Sequence, residues 1–247
     1  MREGAYLAGT FMKTPAYELI EVLAQSDLDF VCLDAEHAPF DRARMDMCLA
    51  MARALDFPVL VRVEAGVPEA ILQALDSGAV GVVVPHVDTT EKAEAIAKAA
   101  RFGHGGRGFA GSTRWANYAT RPMGDLLEQS RDETVVIAQI EEPEGVEVAA
   151  EIAAIEGIDG LFLGPADLAV AYGTTDQRSP ELIAGFKAVG TAARDNGKAA
   201  MSFVANAGVA QELADYGLTT FFIGSEQGWV RKAASDEAGG IHGLTRP

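Results

Sequence analysis

The chain has 247 residues, of which 36 are acidic and 20 are lysine or arginine, so its formal net charge is −16 at pH 7. Nucleic-acid binding relies on basic residues that neutralise phosphates, and this charge argues against a nucleic-acid partner. Although 49% of the residues are hydrophobic, no run approaches the roughly 18 apolar residues of a membrane span, which argues against a membrane protein. The N-terminus lacks the pattern of a signal peptide. We therefore expect a cytoplasmic protein with a single domain over residues 1–247.

Eight short apolar runs, bounded by glycine, proline or polar residues, predict buried β-strands. In chain order they are residues 7–11, 30–33, 59–63, 81–85, 135–140, 161–163, 199–204 and 219–223. Segments with apolar residues at helical spacing separate these runs. Continuous apolar strands that alternate with amphipathic helices predict a parallel (β/α)8 TIM barrel, in which both faces of each strand are covered.

Several predicted helices begin at a residue that favours the N-cap position or at a proline in the first turn. The expected N-caps are Thr14, Asp41, Asp88, Ser179 and Asn206, and the expected first-turn prolines are Pro68 and Pro143. Residues 103–121 are rich in glycine, arginine and aromatic residues and predict an irregular segment. Residues 229–234 predict a short final helix.

Ionisable side chains stand where several predicted strands end. They are Asp34, Glu36 and His37 after the second strand, Arg62 in the third, Glu141 after the fifth and Asp167 after the sixth. The C-terminal ends of barrel strands meet at one rim, and enzymes with this fold carry their active sites there. We therefore expect these side chains to converge on one mouth.

Glu141 and Asp167 follow adjacent predicted strands and are candidate ligands of a divalent cation. Hard cations such as Mg²⁺ are bound by carboxylate oxygens, waters and substrate oxygens. Either carboxylate also fits a helix-capping role, because acidic residues favour helix N-termini. Glu142 suits capping better than its neighbour, and this leaves Glu141 for a metal.

Asp34 precedes His37 by three residues, a spacing at which a carboxylate can orient an imidazole that acts as a general base. The alternative is that His37 has a structural role. Glu36 fits contact with a metal-bound water or simple solvation. Arg62 would stabilise a developing oxyanion, its alternative being a structural salt bridge.

A family resemblance covers nearly the whole chain. The matching elements, in order, are residues 30–37 with their Asp-Ala-Glu-His end, 61–63, 75–79, 139–141 and 157–168 with their Gly-Pro-Ala-Asp core. The sequence resembles the HpcH/HpaI family of metal-dependent class II pyruvate aldolases, within the phosphoenolpyruvate/pyruvate superfamily. These enzymes cleave 4-hydroxy-2-oxo acids such as 2-keto-3-deoxyglucarate.

The resemblance implies a role for each matching residue. Glu141 and Asp167 would bind Mg²⁺, Mn²⁺ or Co²⁺, which would polarise the keto group of the 2-oxo acid. Gln139 would line the site, and the turn of Gly164, Pro165 and Ala166 would hold the substrate carboxylate through the amides of Ala166 and Asp167. Arg62 would stabilise the enolate, and His37, oriented by Asp34, would take the C4 hydroxyl proton through a water.

The resemblance also implies a homo-oligomer, a hexamer built as a trimer of dimers. Asp76 would reach the site of a neighbouring subunit. The partners are then a small 2-oxo acid and an aldehyde. A Schiff-base lysine is not required, and the predicted strands contain none. The alternatives are a lyase acting on a citryl or malyl thioester, a 2-oxo acid decarboxylase, and a non-catalytic barrel.

Two further signals indicate no site. Cys32 lies in an apolar strand and Cys48 on a predicted helix, so free thiols are expected. Residues 106–111 match G-x-G-x-x-G, but they follow a helix and not a strand, which argues against dinucleotide binding. We expect this segment to form a rim loop near the site.

Overall fold

The computed structural model describes residues 5–244. Eight parallel strands close into a barrel in chain order, which confirms the predicted (β/α)8 TIM barrel. The strands are β1 (Leu7–Met12), β2 (Phe30–Asp34), β3 (Val59–Arg62), β4 (Gly81–Val84), β5 (Val135–Ile140), β6 (Gly160–Leu163), β7 (Ala199–Val204) and β8 (Thr220–Ser225). Each differs from its predicted range by at most a residue or two at either end.

The helices form a layer around the barrel. They are α1 (Tyr17–Leu23), α2 (Arg42–Ala54), α3 (Pro68–Ser77), α4 (Thr90–Ala99), α5 (Met123–Glu133), α6 (Pro143–Glu147), α7 (Ala149–Ala154), α8 (Pro165–Ala171), α9 (Pro180–Asp195), α10 (Ala207–Ala214) and α11 (Glu226–His242). Within residues 5–244, none of them combines the length and the apolar character needed to cross a membrane.

The predicted N-caps Asp41, Ser179 and Asn206 are confirmed, since each side chain accepts a backbone N–H of the first helical turn. The predicted N-caps Thr14 and Asp88 are wrong. Helix α1 begins two residues after Pro15, with Ala16 as its N-cap, and the Thr14 amide donates to the Glu226 carboxylate. Helix α4 is capped by Thr89, which has extended backbone angles and accepts the Lys92 amide at 3.2 Å.

The last helix is longer than predicted. Helix α11 runs from Glu226 to His242, whereas the sequence predicted residues 229–234. Its first turn is capped by Ser225, and Lys232 and Asp236 form an ion pair one turn apart. Of the residues in this helix, only Glu226 is buried, so α11 leaves most of its surface uncovered by its own chain.

Aromatic rings fill the barrel below its mouth. Phe11, Phe162 and Phe222 pack with ring centroids 4.8–5.9 Å apart. Gly9 makes room for the Phe30 ring, because a Cβ there would lie 2.3 Å from it. Cys32 lies in this interior, and burial raises the pKa of its thiol. Both cysteines are free, as expected from the sequence.

Candidate active site

The pleat of the strands aims the polar residues into the mouth. Side chains alternate between the two faces of a strand, so Asp34 points inward two residues after Cys32, which lies among the interior residues. The register between β2 and β3 sets Asp34 directly beside Arg62. On β5 the same alternation carries Gln139 and then Glu141 inward above Ile137.

Asp34 is fully buried and is the centre of one wall of the site. Its carboxylate accepts two hydrogen bonds from Arg62, at 3.0 Å to Nε and 2.8 Å to a terminal nitrogen. The ammonium of Lys13 lies 2.9 Å from the same oxygen that takes the terminal nitrogen. Burial alone would raise the pKa of Asp34, but these donors outweigh it and lower the pKa to about 2. Asp34 is therefore ionised throughout the physiological range.

Arg62 is held in place from three sides. Its guanidinium carbon lies 4.4 Å from the centroid of the Phe11 ring, and its Nε is 3.3 Å from Glu36. Burial lowers the pKa of Arg62, and the bidentate pairing with Asp34 raises it further than burial lowers it. The result is a permanently charged, preorganised fork at the edge of the cavity.

The His37 ring has a different partner from the one expected. The hydrogen bond between Asp34 and His37 comes from the His37 backbone amide, at 3.0 Å, and not from its imidazole. The ring Nε2 lies 3.6 Å from Glu36 instead, and the side chain is 55% exposed. The expected orientation of the imidazole by Asp34 is therefore wrong. The spacing alone could not reveal that Lys13 and Arg62 occupy this carboxylate.

Glu141 is the centre of the opposite wall. It is 2% exposed and accepts the His86 amide at 2.8 Å and the Gln139 side-chain amide at 2.5 Å. Burial raises the pKa of Glu141, and the nearby charge of Asp167 raises it further. Glu36, His86 and Glu141 each offer a ligand atom, and these atoms lie within 4.8 Å of one another.

His86 is a site residue that the sequence did not predict. It follows β4 in the left-handed region, with φ of 57°, a conformation that costs a non-glycine residue about 1 kcal/mol or more. Its Nδ1 lies 2.5 Å from Glu142 and 3.2 Å from Glu141. The hydrogen bond to Glu142 raises the pKa of His86. Its place after a strand end was the signal in the sequence.

Lys13 is a second site residue that the sequence did not predict, and it directly follows β1. Residues from both walls line a cavity of about 300 Å³ at the C-terminal mouth of the barrel, although Asp34 and Glu141 themselves are not part of its lining. Its lining includes Lys13, His37, Arg62, Gln139, Gly164, Pro165, Ala166 and Asp167. Most of the predicted site residues thus meet in one cavity, at the rim where this fold carries its active sites.

The residues around Glu141 fit a divalent cation. Their donors are mainly carboxylate oxygens, which hard cations prefer. Several carboxylates crowd together here, and their mutual repulsion favours a positive charge between them. The buried Oε1 of Gln139 has no hydrogen-bond partner within residues 5–244. A Cβ on Gly164 would lie 3.0 Å from Glu141 Oε2, so the glycine leaves the space that this ligand needs.

Asp76 lies away from this mouth. It lies in the last turn of helix α3. Its carboxylate pairs within its own chain with Arg107, whose guanidinium stacks on Phe102 and Trp115. The segment 103–121 packs here, beside the N-terminal ends of β3, β4 and β5. The expected rim loop near the site is therefore wrong. The segment follows helix α4, and connections after a helix lie at the end of the barrel opposite the active site.

A closed barrel with such a mouth defines a (β/α)8 enzyme, and comparison with known proteins gives its family. Residues 7–233 match the model of the HpcH/HpaI aldolase/citrate lyase family. The 5-keto-4-deoxy-D-glucarate aldolase of Klebsiella pneumoniae subsp. pneumoniae is 34% identical over 86% of this chain and 83% of that enzyme. The hydroxypyruvate/pyruvate aldolase of Delftia acidovorans is 34% identical over 87% of this chain and 80% of that enzyme.

The fold comparison agrees with the sequence comparison. The crystal structure of a HpcH/HpaI aldolase/citrate lyase family protein from Burkholderia cenocepacia J2315 has a TM-score of 0.91 and 30% sequence identity. The alignment covers 98% of this chain and 96% of that one. The chain belongs to the HpcH/HpaI aldolase/citrate lyase family and is a carbon–carbon lyase.

Proposed function

We propose that the protein is a divalent-metal-dependent class II aldolase. It reversibly cleaves a 4-hydroxy-2-oxo acid into pyruvate, or a close 2-oxo acid, and an aldehyde. The observation that carries this proposal is a cavity lined by Gln139 and Asp167 on one side and by the fixed cation Arg62 on the other. Gln139 also contacts Glu141, which forms a group of possible metal ligands with Glu36 and His86.

Glu141 and Asp167 hold Mg²⁺, Mn²⁺ or Co²⁺ in this proposal, with Glu36 and His86 beside them. When bound, the cation supplies Lewis-acid polarisation of the 2-oxo group. Gln139 fixes one oxygen of Glu141 through its side-chain amide, and its own buried carbonyl oxygen, which has no hydrogen-bond partner within residues 5–244, is available to the bound ligands. The backbone amides of Ala166 and Asp167 stand in the first turn of α8, where amides lack intrahelical acceptors, and bind the substrate carboxylate.

Arg62 and His37 have different roles at the reacting atoms: His37 accepts a proton and Arg62 stabilises the enolate. His37 accepts the proton of the C4 hydroxyl through a water, the C3–C4 bond breaks, and the aldehyde forms. The bonding electrons remain on the 2-oxo acid fragment as an enolate, whose oxygen lies against the Arg62 guanidinium. The proton returns to C3, which yields pyruvate. Asp34 contributes by fixing the Arg62 fork.

Exchange of the pyruvate methyl protons with deuterated water, followed by NMR, tests this function without knowledge of the aldehyde. Metal-stripped protein should show no exchange, and added Mg²⁺ or Mn²⁺ should restore it. E141Q removes one charge from the ligand set and should reduce exchange by about a hundredfold or more, as expected for loss of a residue that holds a catalytic metal. The matched control, E144Q, removes the same charge from an exposed position on α6 and should exchange like the wild type.

Exchange that persists in E141Q without added metal would contradict the ligand assignment. If folded wild-type protein showed no exchange with any divalent cation, the aldolase proposal would fail in favour of a thioester lyase or a non-catalytic barrel. Release of carbon dioxide from a 2-oxo acid without an aldehyde product would instead indicate a decarboxylase.

We also propose that the enzyme is a cytoplasmic homo-oligomer in which α11 lies against a second copy. This helix buries only Glu226 against its own chain. Val230 and Ile241, which are 64% and 67% exposed, share one face of the helix with Ala234. An apolar stripe of this kind on an otherwise polar helix is typical of a contact surface.

A further inference from the structure

We propose that Lys13 determines specificity by binding a carboxylate on the aldehyde half of the substrate, and that Glu226 positions Lys13 for this role. The proposal rests on the aldolase function above and adds two residues to it. Neither residue was among the predicted site residues.

Lys13 presents a charge that is open to the cavity. Its side chain is 31% exposed and lines the same cavity as Arg62, whereas the Arg62 side chain is only 8% exposed. Both cations bind the single negative charge of Asp34, and both approach the same oxygen, Oδ2. Arg62 also pairs with a second carboxylate, Glu36, 3.3 Å from its Nε. Lys13 shares the carboxylate of Asp34 with Arg62, so its ammonium can still take a further carboxylate partner from the cavity.

The two cations differ in how completely Asp34 engages them. Arg62 makes a two-point contact with the carboxylate, while Lys13 is a point charge with three donors on a flexible stem. An incoming carboxylate can therefore share the Lys13 ammonium with Asp34 and leave the Arg62 pairing intact. Lys13, and not Arg62, is the cation that remains available for the distal end of the substrate.

The position of Lys13 on the barrel fixes which end of the substrate it meets. In a closed barrel of eight strands in chain order, β1 lies opposite β5. Lys13 follows β1, and Glu141 follows β5. A 2-oxo acid bound at the Glu141 side therefore extends its far end, which becomes the aldehyde, toward Lys13. The two ends of a dicarboxylic substrate are thus recognised on opposite walls.

Glu226 holds the backbone of Lys13. Its carboxylate is 3% exposed and accepts the Lys13 amide at 3.0 Å and the Thr14 amide at 2.7 Å. Glu226 begins α11, directly after β8, the strand that pairs with β1. The side-chain amide of Gln227 donates to the Thr14 hydroxyl at 3.2 Å and ties the same two segments together. The hydrogen bonds to Glu226 therefore fix the backbone position from which the long and flexible Lys13 side chain extends.

The test compares acceptor aldehydes that differ only in charge. Pyruvate addition is measured with 4-oxobutanoate and with butanal, and likewise with glyoxylate and with acetaldehyde. K13M should raise the KM of at least one acidic aldehyde by about ten- to a hundredfold, the size expected for losing a hydrogen bond between charged groups. The KM of its neutral partner should change by less than about threefold, because that partner makes no charged contact.

Four further variants complete the design. K13R should restore most of the preference for the acidic aldehyde. K187M removes the same charge from an exposed position on α9 and should behave as the wild type. E226A should raise the KM of the acidic aldehyde more than it lowers kcat, and E226Q, which keeps one acceptor oxygen, should recover part of the loss. If E226A does not fold, the comparison of E226Q with the wild type decides.

Equal changes in KM for the charged and the neutral aldehyde in K13M would overturn the assignment to Lys13. Covalent trapping of pyruvate on Lys13 by borohydride would also overturn it, since Lys13 would then be a nucleophile. E226A and E226Q variants that lower kcat alone, for all aldehydes, would overturn the positioning role. Pyruvate proton exchange in the wild type involves no aldehyde. Its absence would refute the aldolase function, whereas its presence without charge discrimination would refute only the role of Lys13.

Discussion

At the scale of single residues, Asp34 is the group on which one wall of the cavity depends. It is the shared partner of Lys13 and Arg62, and it also accepts the backbone amide of His37. Removal of its charge takes the bidentate partner away from the buried Arg62 guanidinium, which keeps the Glu36 contact at 3.3 Å, and takes the paired carboxylate away from Lys13. Loss of one member of a buried ion pair typically costs about 3–5 kcal/mol.

We therefore expect D34N to lower the free energy of unfolding at pH 7 by about 3 kcal/mol. Urea denaturation of the metal-free protein, with the m-value recorded, measures this change. D195N is the matched control, because Asp195 forms an exposed pair with Arg194 and such pairs contribute about 1 kcal/mol at most. A D34N loss no larger than that of D195N would contradict the central role of Asp34.

The same comparison has a defined pH dependence. The pKa of Asp34 is lowered from 3.8 to about 2 in the folded protein, so its contribution is present above the unfolded value and is lost as the pH falls through the folded one. The difference in unfolding free energy between the wild type and D34N should therefore be constant above about pH 5 and shrink toward pH 2. A difference that grows on acidification would have the wrong sign for a lowered pKa.

The residue types at the mouth were predictable, but their pairing was not. Asp34, Arg62, Glu141 and Asp167 were visible as ionisable groups at strand ends, where apolar packing does not explain them. The partner of Asp34 depends on the register between β2 and β3, which places it beside Arg62 and is not written in the spacing to His37. Lys13 and His86 occupy the same kind of strand-end position and could have been found by applying that rule to every strand.

At the scale of elements, the turn from β6 into α8 sets the geometry of the proposed metal site. Gly164 is the N-cap of α8 and has ordinary backbone angles, so the glycine is not required by strain. It is required by space, because a Cβ would lie 3.0 Å from Glu141 Oε2 and 3.1 Å from Glu141 Cβ. The strand-to-helix turn thus controls the position of a ligand on the neighbouring strand.

We expect G164A to weaken Mn²⁺ binding by about tenfold or more, the size of effect seen when the support of a metal ligand is disturbed. Titration of metal-free protein with Mn²⁺, followed by electron paramagnetic resonance, measures the dissociation constant. G124A is the control, since a Cβ at Gly124 on α5 meets nothing within 4 Å. Equal affinities in G164A and G124A would show that Glu141 tolerates the added methyl group.

The elements also show which sequence signals are reliable. The ranges of β5 and β7 were predicted to the residue, because each is a continuous apolar run with a clear boundary. The starts of α1 and α4 were not. The N-cap of α1 is Ala16 and not Thr14, and the N-cap of α4 is Thr89 and not its neighbour Asp88. Local chemistry predicts that a helix begins, but it leaves a choice between neighbouring residues for the cap.

At the scale of the whole molecule, α11 connects the active site to the proposed subunit contact. Its first residue, Glu226, holds the backbone of Lys13, while nearly all of the other residues of the helix are exposed. The sequence predicted only a fraction of this helix, because an element without partners in its own chain shows no strong amphipathic pattern against a core. Its length and its apolar stripe are explained if a second copy of the chain covers it.

We therefore expect the wild type to have a solution mass of at least twice the 26.0 kDa chain mass. Light scattering on a size-exclusion column measures this mass. V230D places a charge in the exposed apolar stripe of α11 and should shift the mass toward the monomer, because an unpaired charge buried in an interface is costly. S235D adds the same charge about 100° or more around the helix from the residues of that stripe and should keep the wild-type mass. A monomeric wild type, or equal masses for V230D and S235D, would show that α11 is not the contact. A monomeric V230D that retains its helix content by circular dichroism would locate the contact on this face.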